Sequence, residues 1–244
     1  MSNYIEDNNF GVHLLQQGHY DAALPTFIGA LELFRQQVVC KVSNCGNAEQ
    51  LEEGRSPSRV GRRSRRARSR RIKRDHSFFD AVDFGDLRQE SQVSTERLHM
   101  YTRAFVLSSS VKDGPCAVNH RDGTSAIILF NIGVTLHAKA IRTGSSQLLS
   151  KALTSYRLGL SSAEYWALYY SCGKNSLPQM TILNNLALLH VQCMQIKESV
   201  LFLRSLQRVM YETFDLTREQ RAPFDWNVTI LRQGQFHVCP ASAA

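Results

Sequence analysis

The chain has 244 residues, 43% of them hydrophobic, with 29 Lys or Arg against 21 Asp or Glu and a formal net charge of +8. That length suits one sizeable core, alone or with flexible insertions. With no signal-like start and no run near the roughly 18 apolar residues that span a bilayer, a soluble intracellular protein, nuclear or cytoplasmic, is expected. Eleven of the basic residues fall between Arg55 and Arg74 with no acid among them, so the rest of the chain is slightly acidic, which excludes the dispersed positive surface of a duplex-binding domain.

The first periodic stretch, "NNFGVHLLQQGHYDAALPTFIGALELF", runs from Asn8 to Phe34. Gly11, Leu14, Gly18 at a turn, Tyr20, Ala23, Phe27 and Ala30 alternate small and large residues as two crossing helices require. Pro25 falls one turn inside the second helix, where it removes a backbone hydrogen bond, so a kink is expected there. From residue 40 to about 95 no period of 3.6 or 2 persists, and the composition predicts a disordered Arg/Ser-rich insertion. Within it Arg62, Arg63, Arg65, Arg66, Arg68, Arg70, Arg71, Lys73 and Arg74 form a basic segment. It reads as a nuclear address or as a non-specific contact to RNA phosphates, and Ser64 and Ser69 are candidate phosphorylation sites that would tune its charge. "HSFFDAVDFGDL" interrupts the insertion with Phe78, Phe79, Val82 and Phe84 among acids. It is either a docking motif or a loop clipped to the core by its phenylalanines.

"RLHMYTRAFVL", residues 97–107, alternates Leu98, Met100, Thr102, Ala104 and Val106 with His99, Tyr101, Arg103 and Phe105, the pattern of a strand with both faces partly apolar. The stretch from Phe130 to Leu160 begins at Gly133 and Leu136 as the first does at Gly11 and Leu14. It resumes at Ala152, Tyr156 and Gly159, seven residues late, which predicts an enlarged loop at "TGSSQLL". Asn184 to Met210 keeps the first spacing unbroken through Ala187, His190, Ile196, Ser199, Leu203 and Leu206. "FDWNVTIL", residues 224–231, alternates Phe224, Trp226, Val228 and Ile230 with polar residues. A lone strand leaves its ladder groups unpaired, so it is expected to join 97–107 in a two-stranded antiparallel ribbon.

The three helical stretches resemble the tetratricopeptide repeat family. That resemblance implies antiparallel helix pairs stacked into a right-handed superhelix with a concave groove. The small residues at 11, 133 and 187 are not evenly spaced, which argues against an uninterrupted solenoid. More loosely, helix pairs joined to "FDWNVTIL" and to the small-residue tail "CPASAA" resemble a group of diatom proteins, which implies no particular activity. The expected fold is therefore mainly α, TPR-like helix pairs around one core with a small β ribbon. A first pair occupies 1–39, the disordered insertion 40–95, and the rest of the same helical domain 96–244, with pairs at about 125–172 and 179–212 before a C-terminal strand and tail.

No P-loop, GxGxxG, GxSxG or HExxH is present, so no catalytic residue, cofactor or metal site is expected. His13, His137 and His190 read as packing histidines, and six scattered cysteines without a CxxC pair read as reduced thiols. The candidate site is made of asparagine. Asn9, Asn131 and Asn185 each precede the large residue before the small one, and Asn8 and Asn184 double two of them. The family resemblance implies that these asparagines line the groove and hydrogen-bond the main chain of an extended peptide, a task for a side chain that both donates and accepts. Val12, Gln16, Val134, Leu188 and Gln192 would line the same groove. Helix capping is the competing reading for Asn8 and Asn184, whereas Asn131 follows "SAIILF", which is already helical. The matching positions of the first and third stretches lack the Lys or Arg with which family members grip C-terminal carboxylates, which disfavours that ligand. The expectation is a non-enzymatic module that binds a protein partner as a peptide or helix, with no membrane partner and nucleic acid touched only through the basic loop. An RNA-associated protein and an enzyme of another kind are the alternatives.

Overall fold

The computed structural model describes residues 3–46, 79–84, 98–108, 121–169, 176–213 and 216–233. The basic segment with Ser64 and Ser69, and the C-terminal tail, lie outside the described residues. Within them the protein is mainly helical: α1 (Tyr4–Gln16), α2 (Tyr20–Gly46), α3 (Arg121–Thr143), α4 (Ser146–Tyr169), α5 (Ser176–Gln192), α6 (Ile196–Glu212) and α7 (Arg218–Gln233), with two strands, β1 (Phe79–Asp83) and β2 (Arg103–Leu107).

Consecutive helices pack antiparallel in pairs, α1 with α2, α3 with α4 and α5 with α6, and α7 closes the series against α6. The pairing follows from small residues placed under rings. A Cβ built on Gly11 would lie 2.7 Å from the Phe27 ring, and one on Gly133 would lie 2.6 Å from Tyr156. The rings therefore seat directly on the helix backbone, and neither glycine tolerates a side chain without movement. The turns also share a form. His19 N–H bonds Leu14 O and Gly18 N–H bonds Leu15 O, and the same two bonds recur as Gln195 to His190 and Met194 to Val191. This terminus needs a left-handed residue, supplied by Gly18 (φ 76°) in the first pair and by Met194 (φ 59°) in the third.

Four expectations are corrected. The seven extra residues of the middle pair do not enlarge a loop: α3 runs five residues further past its glycine than α1 does, α4 begins three residues further ahead of its ring, and Gly144 and Ser145 alone join them. Of these extra helical residues Ala140 alone is buried, so the added turns satisfy their main-chain groups within the helix rather than bury apolar surface. The insertion does not begin at residue 40, because α2 continues through Pro25 to Gly46. Residues 224–231 are helical, inside α7, whose start is fixed by a reciprocal cap: Thr217 N–H donates to Gln220 Oε1 and Gln220 N–H to Thr217 Oγ1. The partner of β2 is β1, antiparallel, with Phe79 opposite Leu107 and Asp83 opposite Arg103. Phe79 and Phe84 are buried, so residues 79–84 are clipped to the core by these two phenylalanines, with Phe79–Asp83 as a strand.

α3 is the centre of the core, with every residue from Ala126 to Ala138 buried. Among the described helices it is the one long and apolar enough to cross a membrane, which the sequence reading did not foresee, and 83% of that apolar window is buried inside the protein.

Candidate functional site

The face formed by the first helices of the pairs, α1, α3 and α5, together with α7, is crossed by residues 98–107. This segment is extended, and its last five residues are β2. An extended chain buried on a helical surface has main-chain N–H and C=O groups that no helix backbone can satisfy, since helical backbones are already bonded internally. β1 supplies partners along one edge of β2. Asparagine side chains supply them along the other.

Four residues of the segment are each held by two bonds from one asparagine. Asn9 Oδ1 accepts from Leu107 N–H at 2.8 Å while its Nδ2 donates to Leu107 O at 2.9 Å. Asn131 holds Phe105 in the same way, at 3.0 and 2.9 Å. Asn185 holds Tyr101 at 2.8 and 3.1 Å, and Asn227 holds His99 at 2.7 and 2.7 Å. Each carboxamide presents a C=O and an N–H side by side and so stands in for one step of a neighbouring strand.

Two further asparagines join these into triads of identical connectivity. Asn8 donates to Phe105 O (3.0 Å) and to Asn9 Oδ1 (3.2 Å), and accepts from Asn131 Nδ2 (2.9 Å). Asn184 donates to His99 O (2.9 Å) and to Asn185 Oδ1 (3.2 Å), and accepts from Asn227 Nδ2 (2.5 Å). One triad therefore spans α1 and α3 and holds residues 105 and 107, and the other spans α5 and α7 and holds residues 99 and 101. Arg103 lies between them with no asparagine of its own. Its side chain instead bonds Ala81 O at 2.9 Å and lies 3.7 Å from Asp83 on β1.

Asn8, Asn131, Asn184, Asn185 and Asn227 are wholly buried. A buried amide without partners would be costly, but here both ends of every bridging amide are used, and the network sits on an aromatic floor. Tyr101 stacks on Phe224 (centroids 5.3 Å apart, planes 7° apart), and Phe105 meets Phe130 at 5.1 Å and Phe79 at 5.0 Å. Tyr156 Oη accepts from Asn185 at 3.2 Å. Burial raises the phenol pKa values of Tyr101 and Tyr156 and keeps both neutral.

The structure brings Asn9, Asn131 and Asn185 onto one line with Asn8 and Asn184, and none of the five is a helix cap. The cap of α1 is Asn3, whose side chain accepts from Ile5 N–H. Asn8 and Asn184 lie well inside their helices, so the capping reading is corrected. The remaining groove residues separate. Val12 and Val134 are buried and Leu188 half-buried. Gln16 donates to Asp83 O of β1 at 3.1 Å, and Gln192 bonds His137 Nε2 at 2.8 Å. The alternation of "FDWNVTIL" predicts a strand, which does not disclose Asn227. Its signals were present: "TREQ" is a capping box, and Trp226-Asn227-Val228 repeats the large–Asn–large order of Phe130-Asn131-Ile132.

His137 and His190 are buried. His190 Nδ1 bonds Gln195 at 2.6 Å and its ring stacks on Phe202. Among the described residues no three of His, Cys, Asp and Glu stand together as a metal would require. Comparison of the chain with protein-family models, with curated proteins and with solved structures finds no match.

Proposed function

We propose that this protein is a non-enzymatic interaction module of the tetratricopeptide kind, which holds extended polypeptide by its main chain on the asparagine-lined face of α1, α3, α5 and α7. The observation that carries this reading is the pair of bonds that each of four asparagines makes to alternate residues of one extended segment. Bonds to the main chain alone read the conformation of a ligand and not its sequence. In this structure the segment is the protein's own residues 98–107, so the resting module is self-occupied. The protein is intracellular, and the basic run between Arg55 and Arg74 serves nuclear targeting or phosphorylation-dependent control.

The test is complementation. Residues 98–107 are replaced by an equally long Gly/Ser run, and a synthetic peptide of sequence RLHMYTRAFVLS is supplied. The peptide should restore helical circular dichroism and raise the melting temperature. The same peptide N-methylated at the residues matching Tyr101 and Phe105 should fail, because the amide protons that Asn185 and Asn131 accept are gone. Equal rescue by both peptides, or rescue by neither, contradicts main-chain reading by the asparagines.

A further inference from the structure

The two triads bond the strand identically, but the strand is not equally secured beside them. Phe79 to Asp83 pair with Leu107 to Arg103, and Phe84 N–H donates to Thr102 O. Residues 102–107 are therefore bonded along both edges, to asparagines on one side and to β1 on the other. Among the described residues no strand lies beside Leu98–Tyr101, and this part is held along one edge only, by Asn184, Asn185 and Asn227. The side chains add a smaller contrast: among these residues His99 is the exposed one. Ala104, Phe105 and Leu107 are buried, whereas His99 is exposed against Trp226 and Met100 is half-buried. Leu98 and Tyr101 anchor this part, Tyr101 the deeper of the two. Local opening starts where fewest bonds and least apolar burial must be given up.

From this asymmetry we infer that the α5/α7 triad is an exchangeable half-site: residues 98–101 peel from it while β2 stays in place, and an extended peptide from a partner protein takes over Asn185 and Asn227. This deepens the peptide-holding function proposed above and rests on it. The occupant's chemistry is set by what it replaces. It needs free amide N–H groups at the two residues held, which excludes proline there. It needs an aromatic side chain at the second of them, to stack on Phe224 as Tyr101 does. The first residue is unrestricted, since the His99 side chain faces outward. A charge at the aromatic position is excluded by the buried floor of Phe130 and Phe224.

Two measurements on the full chain test this. Amide hydrogen exchange should be at least tenfold faster at His99 and Tyr101 than at Phe105 and Leu107. A fluorescent peptide RLHMYTR should bind the wild-type chain, bind His99→Pro at least tenfold more tightly, and lose that gain in His99→Pro combined with Asn227→Ala. His99→Pro removes the amide proton that Asn227 Oδ1 accepts, at a residue whose own side chain is exposed. Equal exchange at the four amides, or no tighter binding to His99→Pro, overturns the half-site. If complementation by the twelve-residue peptide succeeds while these fail, the groove holds peptides but does not exchange at this end. If complementation also fails, the peptide-holding reading falls with it.

Discussion

The first half of the molecule, α1 to α4, and the second, α5 to α7, solve the same problem with different degrees of finish. Both place three asparagines on two neighbouring helices and hold two alternate residues of an extended chain. The first half adds glycine under its rings at Gly11 and Gly133, glycine at its turns, and a second strand beside the extended segment. The second half has Ala187 at the matching small position and Met194 in the left-handed turn, and no strand covers its share of the segment among the described residues. The asparagine chemistry, duplicated bond for bond, depends on main-chain geometry, whereas the supporting packing is free to differ.

The largest expected effect comes from the triads themselves. Asn131→Ala or Asn185→Ala strands a buried N–H and C=O of the segment and should lower stability by about 2–5 kcal/mol. Asn227→Ala, at the less secured end, should cost at least about 1 kcal/mol less than Asn131→Ala, because the stripped groups of His99 reach water more readily. Urea denaturation of the three variants checks the ordering, and equal losses would erase the difference between the halves.

His137 sits on the seam, reaching from α3 to Gln192 at the end of α5. Burial lowers its pKa to about 4, against the retaining pull of that hydrogen bond, and an unfolded histidine titrates near 6.5. Between those values the unfolded chain holds a proton that the folded chain refuses, so stability should fall as pH drops below about 6.5. The loss should level off below about 4, at about 3 kcal/mol. Burial lowers the His99 and His190 values in the same direction. His137→Gln should flatten most of this slope in denaturation curves taken between pH 7 and 4.

Two smaller changes sharpen the contrast in packing. Gly133→Ala drives a methyl into the Tyr156 ring and should cost about 1–3 kcal/mol, whereas the second half already carries alanine at position 187. Met194→Gly should stabilise the protein by about 1 kcal/mol, since a left-handed residue with a side chain is strained and this one is exposed. Thermal melts of both variants provide the check, and destabilisation by Met194→Gly would mean that the methionine makes a contact worth more than the backbone strain.

Much of this was legible in the sequence, and the reasons it was legible are physical. Small residues under rings have a fixed offset within a helix pair, so Gly11 with Phe27 announced the pairing, and the seven-residue delay at Tyr156 measured the longer middle pair without saying that the excess was helix. Alternation in residues 97–107 disclosed an extended chain. Its neighbours were not legible, because an asparagine amide satisfies a strand edge as well as another strand does, and no residue pattern distinguishes the two. The same substitution hid Asn227: seeking a second strand led to "FDWNVTIL", whose alternation outweighed the capping box ahead of it. Asn8 and Asn184 were visible as doublets, yet their bridging role required the distance from Asn8 to Asn131, which are 123 residues apart in sequence.

The most direct measurement is scalar coupling across the hydrogen bonds, from the backbone amide nitrogens of the segment to the side-chain carbonyl carbons of the asparagines. Couplings are predicted for Leu107 with Asn9, Phe105 with Asn131, Tyr101 with Asn185 and His99 with Asn227, and none from Arg103 to any asparagine. Absence of these couplings in a folded protein, with all four amides exchanging freely, would contradict a segment held in place by two asparagine triads.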